Sequence, residues 1–204
     1  MGLYAERVLP RLVDIVLGGE RFDRIRARVA SNLDGEVLEV GFGSGRNVPH
    51  YPAAVQRVLA VDPAVTGRQL AASRVAASPV PVEYVGLDGE ALMLADASVD
   101  HVLTTWTLCT IPGVERALGE IRRVLRPGGL LHFVEHGLAP EPRVARWQDL
   151  LTPLQEKVAG GCQLNRPIDA LIAGAGLEID SLSTYYMRGP KPFCYLFEGT
   201  ARRR

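Results

Sequence analysis

The sequence predicts an α/β fold in which a mostly parallel sheet is covered by helices on both faces. Three observations carry this. Short β-rich runs alternate with helical segments from Glu36 onward, the pattern of strands joined by crossover helices. The first run leads into a loop with glycine at every second position, Gly41-x-Gly43-x-Gly45. The second ends in an acid, Asp62, at the edge where open α/β sheets bind ligands.

Residues 3–30 come before the sheet and carry apolar side chains at helical spacing: Leu9, Leu12, Val13 and Val16, then Phe22, Ile25 and Val29. Gly18-Gly19 divides them into two helices. Strands are expected over residues 36–40, 57–61, 80–85, 100–105 and 130–136. Helices are expected over 64–78 and 114–125, the latter with Leu118, Ile121, Val124 and Leu125 on one face. Arg126-Pro127-Gly128-Gly129 closes that helix, because proline cannot continue it and the glycines supply the turn. Two more helices, near 144–158 and 167–175, precede closing strands over 177–184 and 193–200, joined through Gly189-Pro190-Lys191-Pro192. Residues 1–34 are read as helices capping the site, and 35–204 as the body of a single domain.

With 204 residues, 47% hydrophobic and 23% charged, the chain can fill one core. Its 23 basic and 23 acidic residues balance, so no overall field gathers nucleic acid or an anionic membrane. The Arg202-Arg203-Arg204 tail reads as a solvated end. The longest stretch without Asp, Glu, Lys, Arg or His is thirteen residues, 102–114, too short to span a bilayer. Glu6, Arg7, Arg11 and Asp14 interrupt the N-terminal apolar residues, which therefore do not read as a signal peptide. Glu6 also stands where a myristoylation signal wants Ser or Thr. Cys109, Cys162 and Cys194 are odd in number and far apart in sequence, which indicates neither a disulfide framework nor a zinc site. A reducing, cytoplasmic setting, a small-molecule partner and no metal are expected, with no nucleic acid and no stable membrane insertion.

The glycine loop separates two ligand classes. A dinucleotide fingerprint, G-x-G-x-x-G, packs its third glycine against the sheet and faces a pyrophosphate with a helix N-terminus. Here Arg46 occupies that third position, and Pro49 and Pro52 weaken the helix that would follow. The three glycines still bring bare backbone close to a ligand. Asp62, seventeen residues beyond Gly45, can accept hydrogen bonds from both hydroxyls of a ribose. Together they point to a nucleoside.

"VLEVGFGSG", "LAVDP", "GLDGEALMLADASVDHVLTTWTLC" and "ALGEIRRVLRPGGLLHFVEH", in that order and spacing, resemble the motifs of class I S-adenosylmethionine-dependent methyltransferases. The resemblance covers about residues 35–136. It implies a Rossmann-like seven-stranded sheet in the order 3-2-1-4-5-7-6, with an antiparallel final hairpin. It further implies that Glu39 and the Gly41, Gly43 and Gly45 loop hold the methionine end of S-adenosylmethionine. By the same resemblance Asp62 binds the ribose, Asp88 and the backbone of Gly89 read the adenine edge, and Asn47 and Thr105 lie near the methionyl moiety. Phe42 and Gly89 depart mildly from the family pattern. "LCTIP", "VEHG" and "GGCQLNR" extend the likeness to the methyltransferase-like group that includes animal microsomal alkyl-thiol methyltransferases. Those animal members carry a hydrophobic N-terminal anchor, where this chain has an amphipathic helix.

An S-adenosylmethionine methyl group is already activated, so the protein mainly aligns a nucleophile and excludes water. His132-Phe133-Val134-Glu135-His136 matches the H-x-x-E-H zinc-peptidase pattern, but a strand would hold its two histidines about 13 Å apart at the Cα atoms. His132 is read as structural. His136, at the carboxyl end of its strand, is either a base or substrate contact or a structural hydrogen-bonding residue. Trp106 could wall the methyl pocket or fill the core, and Cys109 is read as core. Cys162, Asn165 and Arg166 are read as a substrate-side cap, with an ion pair or helix cap as the other role for Arg166. Tyr4 is read as part of an N-terminal lid or as ordinary packing, and His50 and Tyr51 as cofactor-side wall.

The expected function is methyl transfer, with S-adenosylhomocysteine as product, to a small, fairly apolar acceptor. A thiol or sulfide ranks ahead of an amine, phenol or phospholipid headgroup. The rivals are a nicotinamide-dependent oxidoreductase, which Arg46 disfavours, and a non-catalytic cofactor-binding scaffold.

Overall fold

A computed structural model describes residues 8–204. Two helices, α1 (Leu9–Val16) and α2 (Glu20–Ala30), precede β1 (Gly35–Val40). The chain continues through β2 (Val55–Val61), α3 (Val65–Ala76), β3 (Val82–Gly86), β4 (Val99–Thr105), α4 (Val114–Val124) and β5 (Leu125–His136). It closes with α5 (Pro142–Val158), α6 (Ile168–Gly174), β6 (Leu177–Tyr186) and β7 (Tyr195–Arg203). The seven strands form one sheet in the order β3-β2-β1-β4-β5-β7-β6. β1 to β5 pair in parallel, and β7 runs antiparallel to both β5 and β6.

Alternation along the strands builds a core on each face of the sheet. Leu38, Val40, Leu59, Val61, Val102, Leu131 and Phe133 point to one side, where they meet Leu118, Ile121 and Val124 of α4. Val37, Val58, Ala60, Leu103 and Val134 point to the other, against Ile25, Val29 and Ala30 of α2. α4 buries Val114, Ala117, Leu118, Ile121 and Val124, three to four residues apart, and carries Arg122 and Arg123 in its last turn, complementing the helix dipole. The strand order reverses at β1, which lies between β2 and β4. The carboxyl ends of these two central strands, β1 and β4, therefore frame the crevice in which open α/β sheets bind ligands.

Three expectations need adjustment. The Arg126–Gly129 turn does not separate α4 from β5: Leu125 already pairs with Val99, and the strand runs through an irregularity between Val99 and His101. Phe193 lies in a 3-10 turn, Lys191–Phe193, so β7 begins at Tyr195. The C-terminal arginines are exposed at Arg202 and Arg204, but they are not a free end. Arg202 pairs in register with Leu130 and Glu178, and Arg203 donates to the carbonyls of Arg123 and Leu125. Side-chain ion pairs to Asp180 and Glu178 hold Arg202 and Arg204.

Candidate active site

The site begins at the end of β1. Gly41, Gly43 and Gly45 all have positive φ, at 81°, 54° and 72°, a region that glycine occupies without strain. A side chain at Gly41 would also collide with that of Thr107, in the loop after β4. Beyond the loop only one 3-10 turn forms, Val48–His50, as Pro49 and Pro52 led us to expect. No α-helix follows the loop directly, as it would in the dinucleotide fingerprint.

Glu39 is 1% exposed. It accepts hydrogen bonds from Asn47 Nδ2 at 2.9 Å and from the Tyr51 hydroxyl. Burial raises its pKa to about 7, against the opposing effect of Tyr51, Asn47 and Arg26. Asn47 Nδ2 also reaches Thr105 Oγ1 at 3.0 Å, joining the ends of β1 and β4. Among the described residues Asn47 Oδ1 is buried without a partner. A buried carboxylate beside an unsatisfied amide oxygen is an acceptor set for an ammonium group.

Asp62 is 7% exposed. Its Oδ2 accepts the Gly43 N–H and its Oδ1 the Ala64 N–H, each at 2.7 Å. Burial pushes its pKa up, opposed by these bonds and by Arg68. Each oxygen keeps a further lone pair for a vicinal diol. Asp88 is exposed and accepts the Glu90 N–H at 2.8 Å. At Gly89 an added Cβ would lie 2.8 Å from Val40 Cγ1, so backbone alone fits beside the end of β1. These residues fit S-adenosylmethionine: an acceptor set for its amino group, a carboxylate for its ribose and open backbone between them.

Above the ends of β4 and β5 lies a second group. Trp106 follows β4 with φ 52° and donates its N–H to Val134 O at 2.8 Å. Phe22 meets its ring edge-on at a centroid distance of 5.3 Å, and Arg26 Cζ lies 5.0 Å from the ring centroid. Arg26 is 3% exposed and donates to Leu17 O at 2.8 Å. Burial lowers its pKa to about 10. α2 thus packs directly on Trp106.

His136 Nε2 lies 3.2 Å from the Pro192 carbonyl oxygen. A carbonyl only accepts, so this nitrogen carries the proton and Nδ1 a lone pair. Among the described residues Nδ1 is buried with no hydrogen-bond partner; Cys109 first, and then His136, lowers the pKa of the Cys162 thiol against its burial. Cys162 Sγ lies 3.8 Å from Cys109 Sγ. Arg166 is buried, and its guanidinium donates to Leu108 O and to Gln163 Oε1. The backbone N–H groups of Thr107 and Cys109 donate to Glu135 at 3.1 and 3.3 Å. Burial raises the Glu135 pKa to about 7 against these bonds.

Of the residues the sequence singled out, Glu39, Asn47 and Thr105 form one bonded cluster, Cys162 lies against Cys109, and His136 is bonded to the Pro192 carbonyl. Asp88 stands apart and exposed. Tyr4 lies outside the described residues. His132 lies in β5 four residues before His136, its Nε2 3.0 Å from His101 Nδ1. Among the described residues no three His, Cys, Asp or Glu side chains are grouped to hold a metal ion, and no helix is long and apolar enough to cross a membrane.

Tyr51, read as cofactor-side wall, bonds Glu39. Three further contributors escaped the sequence reading. Arg26 contacts Trp106, Glu135 holds the loop after β4, and Asp14 binds Arg46. Helical spacing places Arg26 beside Ile25 and Val29 on the inner face of α2, the one signal that was available.

Comparison with known proteins agrees with this geometry. Residues 38–133 match the family described as "Methyltransferase domain". Thiol S-methyltransferase TMT1B of Rattus norvegicus is 34% identical over 151 residues, 72% of this chain and 62% of that protein. Thiol S-methyltransferase TMT1A of Homo sapiens is 38% identical over 135 residues, 64% of this chain and 54% of that protein. The matches thus span 62% and 54% of the length of these relatives. An S-adenosylmethionine-dependent methyltransferase from Aquifex aeolicus shares the fold with a TM-score of 0.67 at 18% identity, covering 96% of this chain and 98% of that one. With the sheet order, the glycine loop and the acids at the ends of β1 and β2 all in agreement, the chain belongs to the class I S-adenosylmethionine-dependent methyltransferases.

Proposed function

We propose that the chain methylates a small, fairly apolar thiol or sulfide. The observation that carries this reading is the buried, unpartnered Nδ1 of His136 beside the acceptor end of the crevice. A thiol reacts through its thiolate, and a lone pair fixed by the Pro192 carbonyl is placed to receive its proton. The similarity to thiol S-methyltransferases supports the same acceptor class.

S-adenosylmethionine supplies a methyl group on a sulfonium, already activated for transfer. Glu39 and Asn47 would hold its ammonium, with Thr105 fixing Asn47. Gly41, Gly43 and Gly45 would pass backbone beneath it, Asp62 would bind the ribose hydroxyls, and Asp88 with Gly89 would border the adenine. Trp106, held by Phe22 and Arg26, would wall the acceptor pocket and exclude water. His136 takes the thiol proton, and Cys162 and Arg166 border the acceptor side. The helices α1 and α2 would act as a cap on the body formed by 35–204. The three free cysteines support a cytoplasmic, reducing setting.

A panel of alkyl thiols, aryl thiols, amines and phenols, read by S-adenosylhomocysteine release, tests the reading. Release with thiols and not with amines or phenols is the expected result. Turnover restricted to amines or phenols, or absent throughout despite cofactor binding, overturns it.

A further inference from the structure

Two sulfur atoms 53 residues apart in sequence lie 3.8 Å from each other in the fold, unbonded. The segments that carry them touch along their backbones. Gln163 N–H donates to Cys109 O at 2.9 Å, and a side chain at Gly161 would come within 2.9 Å of Thr110 O. To bond, the two sulfurs have to close from 3.8 Å to about 2.05 Å.

The two thiols differ in access. Cys109 is 2% exposed, whereas Cys162 is half-buried. Cys109 first, with His136 and Gln155, favours the Cys162 thiolate against its burial. Cys109 is pushed the other way, by Cys162 and by burial. Arg166 and Glu135 act on Cys109 and His136 on Cys162, and Arg166, itself next to Glu156, favours a thiolate on either sulfur. Methyl transfer from S-adenosylmethionine to an external acceptor uses neither protein thiol as a reactant.

We propose that Cys162 and Cys109 form a thiol–disulfide exchange pair at the acceptor end of the crevice, with small-molecule disulfides as its substrate. Cys162 passes its proton to His136 Nδ1 and attacks one sulfur of the disulfide. The S–S bond of the small molecule breaks, a mixed disulfide forms on Cys162, and the first thiolate leaves. Cys109 then loses its proton and attacks Cys162 Sγ, which forms the Cys109–Cys162 bond and expels the second thiolate. The two protons end on the two released thiols. The protein pair is oxidised by two electrons and the small disulfide is reduced by two, so no further oxidant is needed. The new bond ties the loop after β4 to the segment after α5. The inference does not depend on which acceptor the chain methylates.

The test exposes the reduced, full-length chain to bis(2-hydroxyethyl) disulfide without oxygen, traps free thiols with iodoacetamide and maps the products by mass spectrometry. The expected wild-type product has lost two hydrogens, carries no adduct, joins the peptides of Cys109 and Cys162 and has Cys194 alkylated. Cys109→Ser should hold the mixed disulfide on Cys162, and Cys162→Ser should leave Cys109 reduced. Cys109 is buried, so a measurement on the wild type guards against a misfolded variant: Cys162 should alkylate at least about tenfold faster than Cys194 at neutral pH. A stable adduct on wild-type Cys162, exchange at Cys194 instead, or equal alkylation rates would each overturn the proposal.

Discussion

Asp14 and Arg46 form a two-pronged ion pair, Nε to Oδ1 at 2.7 Å and Nη2 to Oδ2 at 2.9 Å. Ser44 Oγ adds a bond to Oδ1 at 2.6 Å, and Arg74 Nη1 approaches the same oxygen at 3.3 Å. Burial works to raise the Asp14 pKa, but Arg46, Ser44 and Arg74 together hold it below the ordinary carboxylate value. The arginine that replaces the third dinucleotide glycine therefore reaches back and ties α1 to the glycine loop.

Asp14→Ala should loosen that tie. Without the carboxylate, Arg46 and Arg74 repel one another beside the loop, and α1 loses its polar anchor. S-adenosylmethionine affinity is expected to fall about tenfold, equivalent to ~1.4 kcal/mol, with faster amide exchange across residues 9–17. Titration calorimetry and hydrogen exchange measure both. Unchanged exchange in α1 would show that the pair does not anchor it. Arg46→Lys should not restore the wild-type value, because an ammonium cannot reproduce the two-pronged geometry.

The sheet was legible because its signals are local. Each of β1 to β5 announces itself by a short apolar run, and the glycine loop and Asp62 follow two of those runs directly. What the sequence hid depends on long-range contact. Nothing near Asp14 indicates a partner 32 residues away, and Cys109 and Cys162 looked unrelated until the segment after α5 folded onto the loop after β4. The difference at the C-terminus has the same origin. Three consecutive arginines read as a polar tail, yet β7 continues to Arg203, and Asp180 and Glu178 on β6 pair with Arg202 and Arg204.

Asp62→Ala should weaken S-adenosylmethionine binding by about 1.5–3 kcal/mol, the range for hydrogen bonds to a charged group. The same change also frees the N–H groups of Gly43 and Ala64, so part of the loss comes from the loop. Asp62→Asn separates the two contributions: its amide oxygen still satisfies one backbone donor while the charge is gone. An alanine variant that binds as tightly as wild type would contradict the ribose assignment.

Cofactor affinity should depend on pH through Glu39. Its pKa is raised to about 7 in the free protein, and a bound ammonium favours the carboxylate. The bound-state pKa is therefore lower, binding releases a proton below pH ~7, and affinity is full above that point. As the pH drops towards the bound-state pKa, affinity should fall by up to about tenfold per unit. Tyr51→Phe removes a hydrogen bond that lowers the Glu39 pKa, so the midpoint should move to higher pH. Calorimetry in buffers of different ionisation enthalpy reads the proton directly. A flat profile between pH ~5.5 and ~7.5, where Glu39 would titrate, would count against Glu39 as the ammonium site.

His136→Ala should lower turnover more for weakly acidic thiols than for strongly acidic ones. A general base contributes roughly 10²–10⁴-fold when the nucleophile must be deprotonated, and little when the thiol is already ionised. An alkyl thiol with pKa near ~8.5 is mostly protonated at neutral pH, whereas an acidic aryl thiol is mostly thiolate. The variant should therefore turn over alkyl thiols poorly, recover as the pH approaches their pKa and bind S-adenosylmethionine normally. His136→Gln should behave like alanine, because an amide cannot accept and release the proton. A structural role for His136, which also bonds the Pro192 carbonyl, predicts something else: an equal loss for every thiol, with no recovery at high pH. Plotting log(kcat/KM) against acceptor pKa distinguishes the two, since only loss of the base steepens the fall as the thiol becomes less acidic.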